Sequence, residues 1–357
     1  MNLLDQTLQR IQPVDARWTK KAQARQLELT KPPGSLGRLE EIANRCAGIF
    51  QTLSFTVERP RIVLFAGDHG VCAEGVSPYP QAVTAQMVLN FLAGGAAINC
   101  LARTGGIDLK VVDVGVALPL PAVEGLVRRR VAPGTRNFCA GPALTDEEAL
   151  AGVQVGIEMA DEAVAAGCNL LGFGEMGIGN TTAASALAAA LTDLPPSTVT
   201  GRGAGAGDEC LARKISAVER GLALHAGRLS RPMDMLARIG GLEIAAMCGF
   251  CLGAAANRRP VLTDGFIATA GAALAVRMHP SVKDYLFAAH DSVEPGHKHL
   301  LALIGQRPLL DLQMRLGEGT GAALAMKLVQ AAVAAFTGMA TFASAGVSGA
   351  GQPGANT

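Results

Sequence analysis

The sequence is poor in charged and aromatic side chains. Of its 357 residues, 17% are charged and 4% are aromatic, whereas 49% are hydrophobic. A chain of this length and apolarity buries a large core, which excludes intrinsic disorder as its main state. The formal net charge is only +1. Together with the shortage of aromatic rings, this argues against a nucleic-acid-binding protein, so we expect no nucleic-acid partner.

The sequence also lacks the pattern of a secretory leader. Asp5 and Arg10 interrupt the N-terminal segment with charges, so no signal peptide is predicted. Charges break nearly every apolar run before it reaches membrane length; the exception is the segment after Lys327, whose polar residues and glycines favour a core helix with a loose end over a membrane span. Without a leader, the eight cysteines indicate reduced thiols. We therefore expect a cytoplasmic protein with no membrane partner.

Glycine, in contrast, is abundant, with 43 residues, many of them in turns between a short apolar run and a longer helical pattern. Short apolar strands that alternate with helices predict a parallel sheet covered on both faces. In such sheets ligands bind beyond the carboxyl ends of the strands, where we expect the glycine-rich turns to lie. The predicted strands cover residues 61–66, 109–114, 169–173, 235–239, 260–262, 285–289 and 309–316.

The predicted fold class is thus α/β, a parallel Rossmann-like sheet with helices on both faces, plus a small helical domain. The first 60 residues show helical periodicity without a strand run, and we expect them to pack with the C-terminal helix. The small domain is predicted to comprise residues 1–60 with about 320–357, and the large α/β catalytic domain residues 61–319. A helix is predicted over 81–103.

Residues 172–177 match G-x-G-x-x-G after a predicted strand, a motif that is weak evidence by itself. A dinucleotide-binding fold also needs an acidic residue at the end of the next strand. Asp193 has about the right spacing but precedes a proline-containing loop. Gly177, Asn180 and Thr181 are better suited to open a helix whose free N–H groups bind the phosphate of a mononucleotide. A capped helix without a ligand is the alternative.

A second flexible loop, residues 201–207, precedes Lys214. A lysine that follows a glycine-rich loop can reach a phosphate group as a point charge. The alternative is that Lys214 lies on the solvated face of a helix.

Histidines and cysteines form two patterns that resemble metal or redox sites. His69 and the three histidines of segment 290–299 follow predicted strands, but none has the spacing of a metal-binding helix. We expect hydrogen-bonding roles for them and no metal site. Cys248 and Cys251 form a C-x-x-C inside an apolar helical run, where the packing of small residues explains them better than redox chemistry.

Glu318 stands between two glycines at the end of a predicted strand. Partial burial there would raise the pKa of its carboxyl group and suit it to general-base catalysis. The alternative is an acid that merely stabilises a helix N-terminus. Glu175 has a similar glycine-rich setting after another strand, so we expect the two carboxylates to share one pocket.

Seven segments together resemble one known family. They are K-P-P-G-S-L-G-R-L-E at 31–40, A-G-D-H-G-V at 66–71, G-E-M-G-I-G-N-T-T at 174–182, G-G-L-E at 240–243, D-G-F at 264–266, H-D-S-V-E-P-G-H at 290–297 and L-G-E-G-T-G at 316–321. In this order they resemble the nicotinate-nucleotide:dimethylbenzimidazole phosphoribosyltransferase family. The resemblance implies transfer of a 5-phosphoribosyl group from nicotinate mononucleotide to 5,6-dimethylbenzimidazole or a related base. The products would be α-ribazole 5′-phosphate and nicotinate, in the synthesis of the lower ligand of cobalamin.

The resemblance also implies roles for individual residues, a homodimer, and no cofactor. Glu318 would be the catalytic base, with Glu175 beside it. The phosphoribosyl group is expected to contact Gly177, Asn180, Thr181, Gly203, Lys214 and Ser292, and the benzimidazole base to contact Tyr79, Gln81, Gln86 and Leu316. The second glycine loop departs from the family pattern, because Ala204 stands for a threonine and Gly207 for an aspartate. Polar side-chain contacts from that loop are therefore in doubt, although its backbone N–H groups remain.

Two other classes of protein compete with this interpretation. A nicotinamide-dependent oxidoreductase would use the G-x-G-x-x-G motif, and a nucleotide sensor would bind a mononucleotide without turnover. A carboxylate flanked by glycines favours catalysis over sensing, because a site that only binds phosphate gains little from a nearby negative charge.

Overall fold

The structure, a computed structural model that describes residues 1–348, contains a six-stranded sheet in which every strand pair is parallel. The strands are β1 (Pro60–Gly67), β2 (Asp108–Gly115), β3 (Leu126–Arg128), β4 (Leu170–Met176), β5 (Val261–Thr263) and β6 (Leu286–Ala288). Their order across the sheet is β3-β2-β1-β4-β5-β6. The predicted α/β class with a Rossmann-like sheet is therefore confirmed.

The strand order reverses between β1 and β4, which places a crevice at their carboxyl ends. Strand β1 is fully buried at Ile62, Val63 and Leu64, as expected for a central strand with helices on both faces. It pairs with β4 in register, so that Phe65 lies opposite Glu175. In doubly wound sheets such a reversal opens a ligand-binding crevice, and here both strands end in it.

Helices cover both faces of the sheet. They are α1 (Leu3–Arg10), α2 (Ala16–Glu28), α3 (Arg38–Phe50), α4 (Ala82–Leu92), α5 (Ala97–Gly105), α6 (Asp146–Ala165), α7 (Asn180–Thr192), α8 (Pro196–Val199), α9 (Asp208–Leu224), α10 (Pro232–Ile239), α11 (Leu242–Ala256), α12 (Phe266–Met278), α13 (His297–Leu303), α14 (Thr320–Gly338) and α15 (Phe342–Ala345).

Helix α11 packs so closely on α6 that glycines are required where the two helices touch. A Cβ atom on Gly156 would lie 1.8 Å from the carbonyl oxygen of Ala246. Cys248 and Cys251 lie on α11 and are fully buried, with the sulfur of Cys248 3.9 Å from that of Met278 on α12, and burial raises the pKa of both thiols. Their packing role, expected from the sequence, fits this position, since a thiol held protonated is a poor nucleophile.

The N-terminal helices pack against the C-terminal helix and against helices of the central part of the chain. Helix α3 packs on α2 and α14, whereas α1 packs on α6 and α11. The predicted division into residues 1–60 with 320–357 and residues 61–319 stays a prediction. Residues 349–357 of that division lie outside the described part of the chain.

Two predicted strands are wrong. Residues 235–239 belong to α10, because Pro232 favours a helical first turn and the buried Met235, Leu236 and Ile239 share one helical face. Residues 309–316 form only an isolated parallel bridge between Leu310 and His290. From Asp311 onward this segment is largely exposed, so no neighbouring strand or helix buries it.

The predicted helix over 81–103 is two helices, α4 and α5, because Gly94 with a φ of +79° breaks the helix between them.

The segments Ala82–Gly105 and Thr320–Gly338 are both apolar and long enough to span a membrane by composition alone. However, α14 packs on β4, α3 and α5 and buries Met326 and Val329. The expectation of a C-terminal core helix is therefore confirmed.

Candidate active site

A cavity of about 680 Å³ opens at the carboxyl ends of the central strands. It lies where the strand order reverses, so its walls come from the turns that follow β4, β5 and β6 and from the segment before α14. Nine of the residues expected at the site line it, namely Tyr79, Glu175, Gly177, Asn180, Thr181, Gly203, Ser292, Leu316 and Glu318. The structure thus brings together residues that are up to 239 positions apart along the chain (318 − 79).

Glu318 occupies a strained turn at the start of α14. Its φ is +62°, and the flanking Gly317 and Gly319 have φ values of +84° and +83°. A non-glycine residue in this left-handed region is uncommon and is retained at functional sites when the surroundings enforce it. Asp264 holds the turn, because its carboxylate accepts hydrogen bonds from the N–H groups of Gly319 and Ala322, each at 3.1 Å.

The carboxyl group of Glu318 is almost entirely buried, and its Oε2 has no hydrogen-bond partner among residues 1–348. Burial raises its pKa, and the negative charge of Asp264 adds to the increase. The backbone N–H of Ile98, at the start of α5, opposes the increase. A carboxylate with a raised pKa binds a proton more strongly than an exposed one, which suits it to accept a proton from a ligand.

Glu175 lies at the end of β4, 6% exposed, and accepts a hydrogen bond from the side-chain amide of Asn180. Burial raises its pKa to about 8, with further increases from the charges of Asp264, Glu243 and Glu318. Glu175 is therefore protonated at neutral pH. Glu175 and Glu318 thus differ in role, because Glu175 is the neutral partner of Glu318.

Lys214 lies behind the start of α7 as a buried cation. Its side chain is 1% exposed, and its ammonium donates a 2.8 Å hydrogen bond to the hydroxyl of Thr181. Burial lowers its pKa, and the carboxylate of Glu294 opposes that change. Lys214 itself lies behind the cavity wall. Helix α7 begins at Asn180, so Thr181, the cavity residue that Lys214 contacts, belongs to the first turn with its free N–H groups. This combination of a helix N-terminus and a buried cation suits a phosphate group.

Ser292 is held in place by His297. The N–H of Ser292 donates to Nδ1 of His297 at 2.9 Å, and Nε2 of the same ring lies 3.0 Å from the hydroxyl of Thr269. Burial lowers the pKa of His297 to about 3, so the ring is neutral and both nitrogens are used in hydrogen bonds. Within residues 1–348 no group of three His, Cys, Asp or Glu side chains has the geometry of a metal site.

The apolar wall of the cavity comes from α4 and from the segment that precedes it. Val83 and Met87, one helical turn apart, line it together with Tyr79. Gln81 and Gln86 do not: the amide of Gln81 donates to the carbonyl oxygen of His69 at 3.3 Å, and Gln86 is exposed. The four-residue spacing of Val83 and Met87 places them on one face of α4, but the spacing alone does not say that this face lines the cavity.

Three ionisable residues that line the cavity were not assigned to the site from the sequence, namely His290, Glu294 and Arg315. Glu294 lies inside the H-D-S-V-E-P-G-H segment, where a buried carboxylate could have been recognised as a candidate. Arg315 lies just before the G-E-G-T-G turn. No spacing rule connects it to the cavity, because that segment is irregular.

His69 lies behind the cavity rather than in it. Its Nε2 is 2.5 Å from Oε1 of Glu243, and both side chains are buried. The neighbouring Asp68 accepts a 2.8 Å hydrogen bond from the N–H of Ala117. These contacts join the turns after β1 and β2 to the start of α11, a hydrogen-bonding role as expected.

A dinucleotide site finds no support in the geometry. Asp193, the residue that would bind a ribose hydroxyl, is exposed at the C-terminal end of the 13-residue helix α7. The cavity lies at the opposite end of that helix, roughly 20 Å away at 1.5 Å per residue. Asp193 therefore cannot contact a ligand in the cavity, as the oxidoreductase interpretation would require.

Comparison with known proteins agrees with the geometry. Residues 11–347 match a family model described as "Phosphoribosyltransferase". A nicotinate-nucleotide–dimethylbenzimidazole phosphoribosyltransferase of Geobacter sp. (strain M21) is 54% identical over 347 residues, covering 97% of this chain and 99% of the relative. The protein of the same name from Chloroflexus aggregans is 51% identical, covering 98% of this chain and 99% of the relative.

A solved structure shows the same fold. The crystal structure of the nicotinate-nucleotide–dimethylbenzimidazole phosphoribosyltransferase from Thermus thermophilus is similar to this chain with a TM-score of 0.88 and 51% identity. The match covers 94% of this chain and 99% of that one. The chain therefore belongs to the phosphoribosyltransferase family of these nicotinate-nucleotide–dimethylbenzimidazole enzymes.

Proposed function

We propose that this chain transfers the 5-phosphoribosyl group of nicotinate mononucleotide to a ring nitrogen of 5,6-dimethylbenzimidazole or a related base. The products are α-ribazole 5′-phosphate and nicotinate, for the lower ligand of cobalamin. The observation that carries the proposal is that the buried carboxylate of Glu318 lines the same cavity as Thr181, whose hydroxyl accepts a hydrogen bond from the buried ammonium of Lys214. The names of relatives more than 50% identical support the choice of substrates.

The reaction exchanges one bond to the ribose carbon C1′ for another. The bond to the pyridinium nitrogen of the donor breaks, and its electron pair returns to that nitrogen, so nicotinate leaves without an acid. The lone pair of a benzimidazole nitrogen forms the new bond. Unless the other ring nitrogen loses its proton, the product ring is left with a positive charge. Glu318 accepts that proton, a contribution usually worth about 10²–10⁴-fold in rate.

Glu175 supports this role because it is neutral at the pH where Glu318 must be charged. With its pKa at about 8, it adds no second negative charge beside the base. Its hydrogen bond from Asn180 also fixes the start of α7, where the phosphoribosyl group is expected. We therefore assign Glu175 to the catalytic pair as its protonated member.

The phosphate of the donor is assigned to the N-terminus of α7 and Lys214. The backbone at Gly177 and Asn180, the hydroxyl of Thr181 and the ammonium of Lys214 converge there. Ser292 faces the same cavity from the turn after β6, where its hydroxyl suits the ribose. Much of the rate enhancement comes from holding the two rings on opposite faces of one sugar.

The planar acceptor is assigned to the apolar wall of Tyr79, Val83, Met87 and Leu316, next to Glu318. Tyr79 and Leu316 are half or more exposed, at 50% and 57%. A bound heterocycle, or the second subunit of the homodimer that we propose, would cover them. We also retain the cytoplasm as the proposed compartment.

The test is an assay of the purified protein with nicotinate mononucleotide and a panel of bases, with products identified by mass. Release of nicotinate together with a ribosylated benzimidazole supports the proposal. Direct displacement inverts the β-linked donor to an α-linked product, which the NMR signal of the anomeric proton reports. Tight binding of the mononucleotide without nicotinate release would instead indicate a nucleotide sensor.

A further inference from the structure

Gly203 is held from both sides by side chains that come from two other segments of the chain. Its N–H donates a 2.8 Å hydrogen bond to Oε1 of Glu294, in the turn after β6. Its carbonyl oxygen accepts a 3.0 Å hydrogen bond from the guanidinium of Arg315, in the segment before α14. Both side chains line the cavity. The two peptide groups that flank Gly203 are thus fixed by an acid and a base.

The position of Gly203 decides where Lys214 can lie. A Cβ atom on Gly203 would stand 2.9 Å from the hydroxyl oxygen of Thr181 and 3.1 Å from the ammonium of Lys214. The loop backbone therefore packs directly against the hydrogen-bonded pair at the phosphate end of the cavity. If the loop moved by about an ångström, Lys214 would lose this wall and the ammonium would be free to change its orientation.

The loop needs such a clamp because its own sequence is flexible. Residues 201–207 contain four glycines, and Gly203 and Gly205 have φ values of +53° and +97°. Glycine loses more conformational freedom on folding than any other residue, so external contacts must offset that cost. Hydrogen bonds to charged groups are the strong kind that can do so; the one to Glu294 is buried, and the one from the exposed Arg315 is partly buried.

We propose that Glu294 and Arg315 are positioning residues that clamp Gly203 and thereby hold Lys214 and Thr181 in the geometry that receives the donor's phosphate. Arg315 is also three residues before Glu318. It therefore connects the loop at the phosphate end with the turn that carries the base. The inference rests on the proposed function, since it names the part of that site that recognises a phosphate monoester.

The test compares Arg315→Met and Glu294→Ala with the unmodified chain. We expect the KM for nicotinate mononucleotide to rise about tenfold or more in each, as for the loss of one hydrogen bond to a charged group. The affinity for the benzimidazole base alone should stay within about twofold, because neither hydrogen bond touches the acceptor wall. Inorganic phosphate, used as an inhibitor, should bind more weakly by the same factor as the donor.

Conservative variants separate positioning from general folding effects. Glu294→Gln keeps an oxygen that accepts from Gly203, and Arg315→Lys keeps a donor, so each should recover most of the lost affinity. Arg307→Met and Glu209→Ala are the matched controls, because these side chains are 67% and 96% exposed and lie outside the cavity. Their kinetic constants should match those of the unmodified chain.

The outcomes distinguish failure of the clamp from failure of the proposed function. If the unmodified chain releases no nicotinate in the presence of any base, the function itself is wrong. If it does, but Arg315→Met and Glu294→Ala bind phosphate and donor as tightly as the unmodified chain, the clamp is wrong. An equal loss of donor and base affinity would also overturn it, since that pattern indicates a general structural defect.

Discussion

Gly317 and Glu175 are in direct contact across the cavity: a Cβ atom on Gly317 would stand 2.4 Å from Oε1 of Glu175. Gly317 has a φ of +84°, so a side chain there would be strained in addition to colliding. The glycine at position 317 therefore lets the turn that carries Glu318 sit against the carboxyl group of Glu175 in its observed position.

Replacing Gly317 with alanine should separate the two carboxyl groups. We expect Gly317→Ala to lose at least about 10²-fold in kcat, because a displacement of about 1 Å at the base has effects of this size. The measurement is steady-state kinetics together with thermal unfolding. Gly305→Ala is the matched control, since Gly305 has a φ of +65° but no atom within 4 Å of its Cβ position. Both variants should lose stability from an alanine at positive φ, with a larger loss in Gly317→Ala because of the added collision, and equal activity in the two would refute the contact argument.

Replacing Glu318 with glutamine removes the proposed base with little change of shape. We expect kcat to fall by about 10²–10⁴-fold while the dissociation constant for nicotinate mononucleotide changes little, because only proton transfer is lost. Calorimetric titration and single-turnover assays measure the two quantities. Near-normal turnover in Glu318→Gln would show that another group accepts the proton.

The two raised carboxyl pKa values predict a bell-shaped pH dependence of kcat/KM. Glu318 must be ionised to act, so activity should fall as pH drops through its pKa, which burial raises above 4.5. Glu175 must stay protonated, so activity should also fall as pH rises through about 8. Glu175→Gln mimics the protonated form, and it should lose the alkaline limb while keeping the acid limb. An unchanged alkaline limb in this variant would assign that limb to another group.

Glu175 also links pH to stability. Its folded-state pKa of about 8 lies above the ordinary value of 4.5, so the folded chain binds more protons than the unfolded chain between these values. The free energy of unfolding should therefore decrease as pH rises from 4.5 to about 8. Urea unfolding at several pH values measures this. Glu175→Gln should show a flatter profile, and a steeper one would contradict the assignment.

Lys214 is expected to bind the phosphate rather than take part in proton transfer. Lys214→Met should raise the KM for nicotinate mononucleotide by about 10–100-fold, as for the loss of one charge-assisted contact. Lys298→Met, at an exposed position on α13, is the control. Turnover of nicotinate riboside, which has no phosphate, should be equal in Lys214→Met and the unmodified chain. A similar loss with both donors would argue against a phosphate contact.

Most of the sheet could be predicted from local sequence, because buried parallel strands are continuous apolar runs followed by glycine turns. The two wrongly predicted strands share one cause. Residues 235–239 and 309–316 are also short and apolar, and such runs do not distinguish a strand from a helix or an irregular segment. Packing against α6 and α7 decides the first, and exposure to solvent decides the second.

The site residues also fall into those that the sequence predicts and those that only the tertiary structure places. The sequence by itself determined which chemical groups are available and which of them follow strands: Glu175 after one strand, Lys214 after a flexible loop, Glu318 between two glycines. Only the tertiary structure decided that Glu294 and Arg315 meet at Gly203, and that Val83 and Met87 rather than Gln81 and Gln86 face the cavity. The physical reason is that these contacts join segments far apart along the chain. Their geometry depends on how helices pack on the sheet, which no local pattern encodes.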